Sequence, residues 1–195
     1  MNFLAHLWLA DRSATSLAGA VLGDVVRGSD LSAYPVAIAQ GIRLHRRIDA
    51  WTDCHPQVVA ARTGFVAGER RYAGIVIDLV CDYVLAGDWA RHSAEAFDAF
   101  CRRAAAAVAA EAASFAAAGA RAPDAGGFAR LLQSYAQADG IDRAVARIGL
   151  RLRRPEGFLR AAEGWPALAQ RLRPSVPKLL DELGVRVAQA LAPDP

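Results

Sequence analysis

Ionisable side chains at intervals of four residues, inside segments that otherwise look buried, constrain the fold of this chain most strongly. They occur in two places: His45, Asp49 and Asp53 in the first, and Asp78 and Asp82 in the second. Residues four apart lie on the same face of an α-helix, so each set forms one stripe along a helix. The two stripes indicate two helices that share one cation.

Asp24 adds a third acid in an apolar setting. It lies in the run Ala-Val-Leu-Gly-Asp-Val-Val of residues 20–26. A carboxylate without a partner in such a run has an unfavourable desolvation free energy of several kcal/mol. We therefore expect Asp24 to have a partner.

The remaining pattern predicts an all-α, single-domain helical bundle over residues 1–195. No segment alternates apolar and polar residues as a half-buried strand would. With 54% hydrophobic and 22% charged residues, the chain can bury one core. Proline, glycine and capping residues bound the predicted helices, which cover residues 2–10, about 13–27, 35–51, the segment after Pro56, 69–86, 94–120, 127–137, 139–150, 155–163, 166–173 and 175–192.

Composition also excludes several classes of protein. The three cysteines form no Cys-x-x-Cys pair, which favours a reducing, cytoplasmic setting over a disulfide framework. The sequence has no stretch of about 20 apolar residues, so no membrane span is predicted. The basic residues are not interleaved with aromatics, so nucleic-acid binding is not expected.

Arginine clusters could bind phosphate or an acidic partner, or form a solvated helix face: Arg43, Arg46 and Arg47; Arg70 and Arg71; Arg151, Arg153 and Arg154.

The acids and the histidine predict an oxygen-rich metal site with one or two imidazoles. Its candidate ligands are Asp24, His45, Asp49, Asp78 and Asp82. Such donors suit Mn²⁺ or Mg²⁺ better than structural zinc, and favour a metal-dependent phosphohydrolase. The alternative is a helical protein whose acids pair with buried arginine.

Three residues near the stripes have an ordinary interpretation as well: His6 as a core histidine, Asp53 as the N-cap of the helix opened by Pro56, and His55 as a loop residue.

Four motifs give this chain a resemblance to a known family. They are MNFLAHLWLA, SLAGAVLGDVVRG, GIRLHRRIDAWTDCHP and RRYAGIVIDLVCDY. In the same order and spacing, they resemble the acyl carrier protein phosphodiesterase family, whereas the chain beyond about residue 90 is similar mainly in length and helical character. The resemblance implies an HD-domain-like fold and removal of 4′-phosphopantetheine from holo-acyl carrier protein, with Mn²⁺, or Mg²⁺ or another divalent cation, as cofactor.

The resemblance also assigns roles to residues. It implies that Asp24, His45, Asp49, Asp78 and Asp82 hold the metal, and that His6, with Asp24, His45 and Asp49, takes part in catalysis. Trp8 and Tyr83 stand where some members have histidine. Four arginines are expected to bind the phosphate and the acidic carrier protein: Arg27, Arg43, Arg46 and Arg47.

Two other functions stay open at this point. Another HD-like metal-dependent phosphohydrolase could act on a nucleotide or a small phosphodiester without a protein partner. A helical binding protein without enzymatic activity would keep the fold but would have no metal affinity.

Overall fold

Helix boundaries largely follow the caps and breakers of the sequence in this computed structural model, which describes residues 2–192. The α-helices of that range are α1 (Phe3–Arg12), α2 (Leu17–Leu22), α3 (Val36–Asp53), α4 (Pro56–Thr63), α5 (Ala73–Gly87), α6 (Phe97–Ala110), α7 (Ala112–Ala117), α8 (Ala125–Ser134), α9 (Ala138–Gly149), α10 (Glu156–Glu163), α11 (Trp165–Leu172) and α12 (Val176–Leu191). Two 3₁₀ turns, Arg70–Tyr72 and Trp89–Arg91, flank α5. No strand occurs within these described residues, so the all-α prediction is confirmed. The likeness to HD-domain enzymes stays a prediction.

The core is built around α1 and α5. Every residue of α1 from Leu4 to Ala10 is buried, and α5 buries apolar side chains on all its faces, which explains why it has so few charges. Helix α1 packs against α2, α3, α5 and α12. The N-terminal helix, the helix of the first ionisable stripe and the helix of the second therefore meet in the core.

Helix α2 is shorter than the sequence predicts. The expected end is near Arg27, but α2 ends at Leu22 because the chain turns at Gly23, directly beside the ring of His45. A Cβ atom at Gly23 would lie 2.2 Å from Cγ of His45, so only glycine fits there. The turn carries Asp24 out of the core to 51% side-chain exposure, and its partner there is His45, whose Nε2 lies 3.4 Å from Oδ1 of Asp24.

Two further expectations about helix ends need correction. Asp53 does not cap α4; α3 extends to Asp53, and the side chain of His55 caps α4 by accepting from the amide of Gln57 at 3.3 Å. The predicted helix 94–120 divides at Glu111, whose ψ of 34° is not helical. The second piece, α7, buries Phe115.

Helices α2 and α3 approach closely at two glycines. A Cβ at Gly41 would lie 2.9 Å from Cα of Gly19, and one at Gly19 would lie 2.7 Å from the carbonyl oxygen of Ile38. Real Cβ contacts are longer than this, so the backbones can touch only because both residues lack side chains. This contact sets the distance between His45 on α3 and the turn that follows α2. No helix among residues 2–192 is both long enough and apolar enough to cross a membrane.

We predict that Gly41→Ala lowers the free energy of unfolding by about 1–3 kcal/mol, because the new methyl group overpacks the contact between α2 and α3. Gly184→Ala in α12 is the matched control, since a Cβ there meets nothing within 4 Å. It should raise stability by about 0.5–1 kcal/mol. Urea unfolding of the two variants measures both effects. Equal stabilities would contradict the close approach of the helices.

Candidate metal centre

Two histidines and one aspartate from distant parts of the chain meet at one point. Nε2 of His6 lies 3.0 Å from Oδ1 of Asp49, and Nε2 of His45 lies 3.1 Å from Oδ2 of the same carboxylate. The imidazole rings of the histidines stack with their centroids 3.9 Å apart and an angle of 17° between planes. One donor atom from each of the three residues lies within 4.8 Å of the others. We call His6, His45 and Asp49 the histidine cluster.

Backbone contacts fix the orientation of His45. Its Nδ1 lies 2.7 Å from the carbonyl oxygen of Ala20, so Nδ1–H donates to that oxygen and Nε2 faces the carboxylates. Such a hydrogen bond from the far ring nitrogen is typical of histidines that bind metal. Asp24, in the turn after α2, adds a fourth group, because its Oδ1 lies 3.4 Å from Nε2 of His45.

Asp82 holds the helix that carries His6. Its carboxylate oxygens accept from the backbone amides of Leu4, at 2.8 Å, and Ala5, at 3.0 Å, and its side chain is completely buried. It therefore satisfies amides in the first turn of α1, which would otherwise be buried without partners. Burial raises the pKa of Asp82 to about 7, against the lowering effect of these two hydrogen bonds. The contacts give Asp82 a positioning role; its role as a metal ligand stays a prediction.

A cleft of about 470 Å³ adjoins the histidine cluster. Its acidic lining residues are Asp24, Asp49, Asp53 and Asp78, which come from both stripes and from the turn after α2. Burial raises the pKa of Asp78, which is only partly exposed to the cleft. Three of the predicted metal ligands, Asp24, Asp49 and Asp78, thus line one cleft, and their role as ligands stays a prediction.

Three arginines line the same cleft: Arg62, Arg70 and Arg71. Arg62 pairs with Asp53, and Nε of Arg70 donates to the carbonyl oxygen of Phe65 at 3.1 Å. A cleft lined by both guanidinium groups and carboxylates can bind a phosphoryl group next to a cation. The sequence shows Arg70 and Arg71 only as one of several clusters, and Arg62 carries no signal beyond its charge.

The four arginines expected to bind substrate lie elsewhere. Arg27, Arg43 and Arg47 are exposed and do not line the cleft. At about 100° per residue on α3, Arg43 and Arg47 are rotated by roughly 120° and 160° from Asp49. Arg46 donates from Nη2 to the carbonyl oxygen of Val26 at 2.9 Å and so tethers the connection between α2 and α3. A substrate contact of these arginines stays a prediction without support from this geometry.

The remaining candidates lie outside the histidine cluster. The indole of Trp8 donates to the carbonyl oxygen of His92 at 3.2 Å, and Tyr83 packs edge-on against Trp165. His55 bridges α4 to Glu182 of α12 at 2.8 Å. The two positions that depart from the family pattern, Trp8 and Tyr83, therefore belong to the packing between helices.

The pKa values of the two imidazoles in the histidine cluster are shifted in opposite directions. Burial lowers the pKa of His6 to about 4, although its hydrogen bond to Asp49 opposes this. Burial also disfavours the charged form of His45, but hydrogen bonds to Asp24 and Asp49 outweigh it and raise the pKa of His45 to about 9. Burial alone would raise the pKa of Asp49, but its hydrogen bonds to His45 and His6 hold it well below its usual range. Between about pH 4 and pH 9, these pKa values favour a neutral His6 ring and a protonated His45 ring beside the shared carboxylate.

The donor set fits a divalent cation. Two imidazole nitrogens and a carboxylate within a few ångströms form a combination that binds Mn²⁺, Fe²⁺ or Zn²⁺, with Asp24 as a further oxygen donor. Nδ1 of His6 is buried and has no hydrogen-bond partner among residues 2–192, so the Nε2 contact with Asp49 and the stacking on His45 orient this ring. The sequence assigns His6 to catalysis only through the family resemblance, because nothing in a lone histidine near the N-terminus indicates that it meets α3.

We predict that the metal-free protein has two histidines with opposite titration behaviour. Nitrogen-15 NMR of the imidazoles should show one ring that stays neutral down to about pH 4 and one that stays protonated to about pH 9. Because the folded pKa of His45 exceeds its ordinary value of 6.5, it stabilises the fold fully below pH 6.5, and that stabilisation is lost as pH rises through about 9. His45→Gln should flatten this alkaline loss of stability. Titration of both rings near pH 6.5 would contradict the shared carboxylate.

Comparisons with known proteins agree with the resemblance of the motifs. The family model described as "Acyl carrier protein phosphodiesterase" matches residues 1–183. A protein of that name from Enterobacter sp. (strain 638) is 46% identical over 95 residues, which are 49% of this chain and 49% of that protein. Another from Yersinia pestis is 48% identical over 89 residues, 46% of each chain. The chain thus spans about half the length of the curated relatives it matches. No solved structure matches significantly.

Proposed function

Because the chain belongs to the acyl carrier protein phosphodiesterase family, we propose that it is a metal-dependent phosphodiesterase. In this proposal it hydrolyses the bond between the carrier-protein serine and 4′-phosphopantetheine, giving apo-acyl carrier protein and free 4′-phosphopantetheine. One observation carries the metal dependence: His6 from the first motif meets His45 and Asp49 from the third within 4.8 Å, although 39 to 43 positions separate them in the sequence.

His6, His45, Asp49 and Asp24 would hold the cation, with Mn²⁺ as the expected ion because the set combines imidazole with carboxylate. When bound there, such a cation supplies Lewis-acid stabilisation of the phosphoryl oxygens and activates water for attack. Asp78 lies in the same cleft and adds a further acid on the side of α5. Mg²⁺ fits this donor set less well, since it prefers oxygen ligands alone.

The residues of the cleft account for binding of the phosphodiester. Arg70 and Arg71 line the cleft together with the acids, and their guanidinium groups would donate to the phosphate oxygens that carry negative charge. These contacts would hold the phosphorus close to the histidine cluster. They would also stabilise the additional charge that develops in the transition state.

Proton transfer falls to an accessible group. His6 is 1% exposed and its Nε2 is bonded to Asp49, so in this geometry it is not placed to donate a proton to the leaving serine oxygen. Asp24 is half exposed at the mouth of the cleft and contacts His45. We therefore assign proton transfer to Asp24, whose carboxylate would take a proton from the attacking water and pass it to the leaving serine oxygen.

We predict that the purified protein with Mn²⁺ removes the phosphopantetheine mass from holo-acyl carrier protein, and that a chelator abolishes the reaction. Intact mass spectrometry of the carrier protein measures both. Asp49→Asn and Asp24→Asn should each lower kcat/KM about 100-fold or more, because each removes a group that holds the cation or moves a proton.

Asp30→Asn is the matched control for Asp24→Asn. Asp30 lies in the same connection between α2 and α3, but it is exposed, and its hydrogen bonds within residues 2–192 go to Ser32. This variant should retain the activity of the unmodified protein. Removal of 4′-phosphopantetheine from the carrier protein that persists in chelator would overturn the metal dependence. Cleavage of small phosphodiesters without action on the carrier protein would favour the nucleotide or small-phosphodiester alternative.

A further inference from the structure

The connection between α9 and α10 presents three arginines around an exposed leucine. Leu150 is 88% exposed, the largest exposure among the large hydrophobic side chains of the described residues. Arg151, Arg153 and Arg154 follow it and are all exposed. None of these three arginines makes an ion pair with another residue in the range 2–192. We call residues 150–154 the arginine loop.

The arginine loop borders the cleft of the metal centre. The hydroxyl of Tyr72 donates to the backbone carbonyl of Arg154 at 3.3 Å, and the guanidinium of Arg71 lies 4.7 Å from the centre of the Tyr72 ring. Arg71 is itself part of the cleft lining. Only one side chain, that of Tyr72, thus separates the loop from a residue of the cleft.

The start of α10 strengthens this contact. A Cβ at Gly157 would lie 2.9 Å from Cε2 of Tyr72, so the helix can approach the ring closely only because residue 157 is glycine. Tyr72 also packs edge-on against the buried ring of Phe158. The loop is therefore held in a fixed place relative to the cleft, as a docking surface must be.

We propose that the arginine loop is the surface that docks the acidic carrier protein and directs its prosthetic group into the cleft. This inference rests on the proposed function and names the surface that its protein substrate uses. Guanidinium groups without internal partners can bind carboxylates of an acidic helix bidentately, and an exposed leucine can contact apolar side chains between those acids. Arg70 and Arg71 continue the positive charge from the loop to the phosphate position.

Geometry distinguishes this surface from the arginines of α3. Arg43 and Arg47 lie on a face of α3 that is turned away from Asp49, and neither lines the cleft. Arg46 already binds the carbonyl oxygen of Val26. The arginine loop, by contrast, reaches the cleft through Tyr72 and Arg71.

Three triple variants with the same change in net charge test the proposal. The first is R151E/R153E/R154E in the loop. The second, R27E/R43E/R47E, reverses the surface expected from the sequence. The third, R102E/R121E/R130E, is the control; these exposed arginines lie on α6, on α8 and in the connection before α8, which contribute no residue to the cleft.

The readout is the dissociation constant for holo-acyl carrier protein, measured by isothermal titration in chelator so that the probe is not consumed. The loop variant should bind at least about ten-fold more weakly than the unmodified protein, a difference of about 1.4 kcal/mol. The other two variants should bind within about two-fold of it. With Mn²⁺ and bis(p-nitrophenyl) phosphate, which needs no docking surface, the loop variant should keep its kcat/KM.

The outcomes separate the docking surface from the proposed function. Equal binding by the loop variant and the unmodified protein overturns the docking surface, and so does equal weakening of all three variants. Binding that depends on the loop without any release of phosphopantetheine keeps the docking surface and overturns the proposed reaction. An unmodified protein that neither binds nor cleaves the carrier protein overturns both.

Discussion

The contact between the buried Asp82 carboxylate and the first turn of α1 is the constraint on which the rest of the site depends. Because both oxygens accept backbone amides, α1 starts at a fixed point on α5, and His6 follows one residue after the second of these amides. His6 then lies flat against His45, whose own ring is fixed by the Ala20 carbonyl and by the space that Gly23 leaves. An acid that is costly to bury thus places a second imidazole at the cluster.

The cluster and the cleft divide the chemistry between them. Asp49 is bonded to both imidazoles, and this arrangement holds one ring neutral and one protonated when no cation is bound. A divalent cation would replace that proton among the same donor atoms. The arginines of the 3₁₀ turn before α5 line the same cleft, where in our proposal they bind the phosphodiester. In our proposal the arginine loop continues this positive surface outward to the protein partner.

The sequence predicts the all-α fold and the meeting of the two stripes, because periodic apolar segments and acids four residues apart carry that information locally. It does not predict that Asp24 is exposed, since the end of α2 depends on the contact between Gly23 and a ring 22 positions away. It places Asp82 on the correct helix but cannot show that its partners are amides of α1. The stripe also does not reveal which arginines line the cleft. Arg43 and Arg47 are close in sequence to His45 but lie on another face of α3. Arg62 and Arg71 reach the cleft from α4 and from the turn before α5.

The central claim is that one cation is bound jointly by α1 and α3. Electron spin echo spectroscopy of Mn²⁺ bound to the protein, with the histidines labelled with nitrogen-15, counts the coordinating imidazoles directly. The geometry predicts two imidazole nitrogens in the unmodified protein and one in His6→Ala, with the His55→Ala protein unchanged because that ring contacts Glu182 instead. A single imidazole in the unmodified protein, or none, would contradict the account.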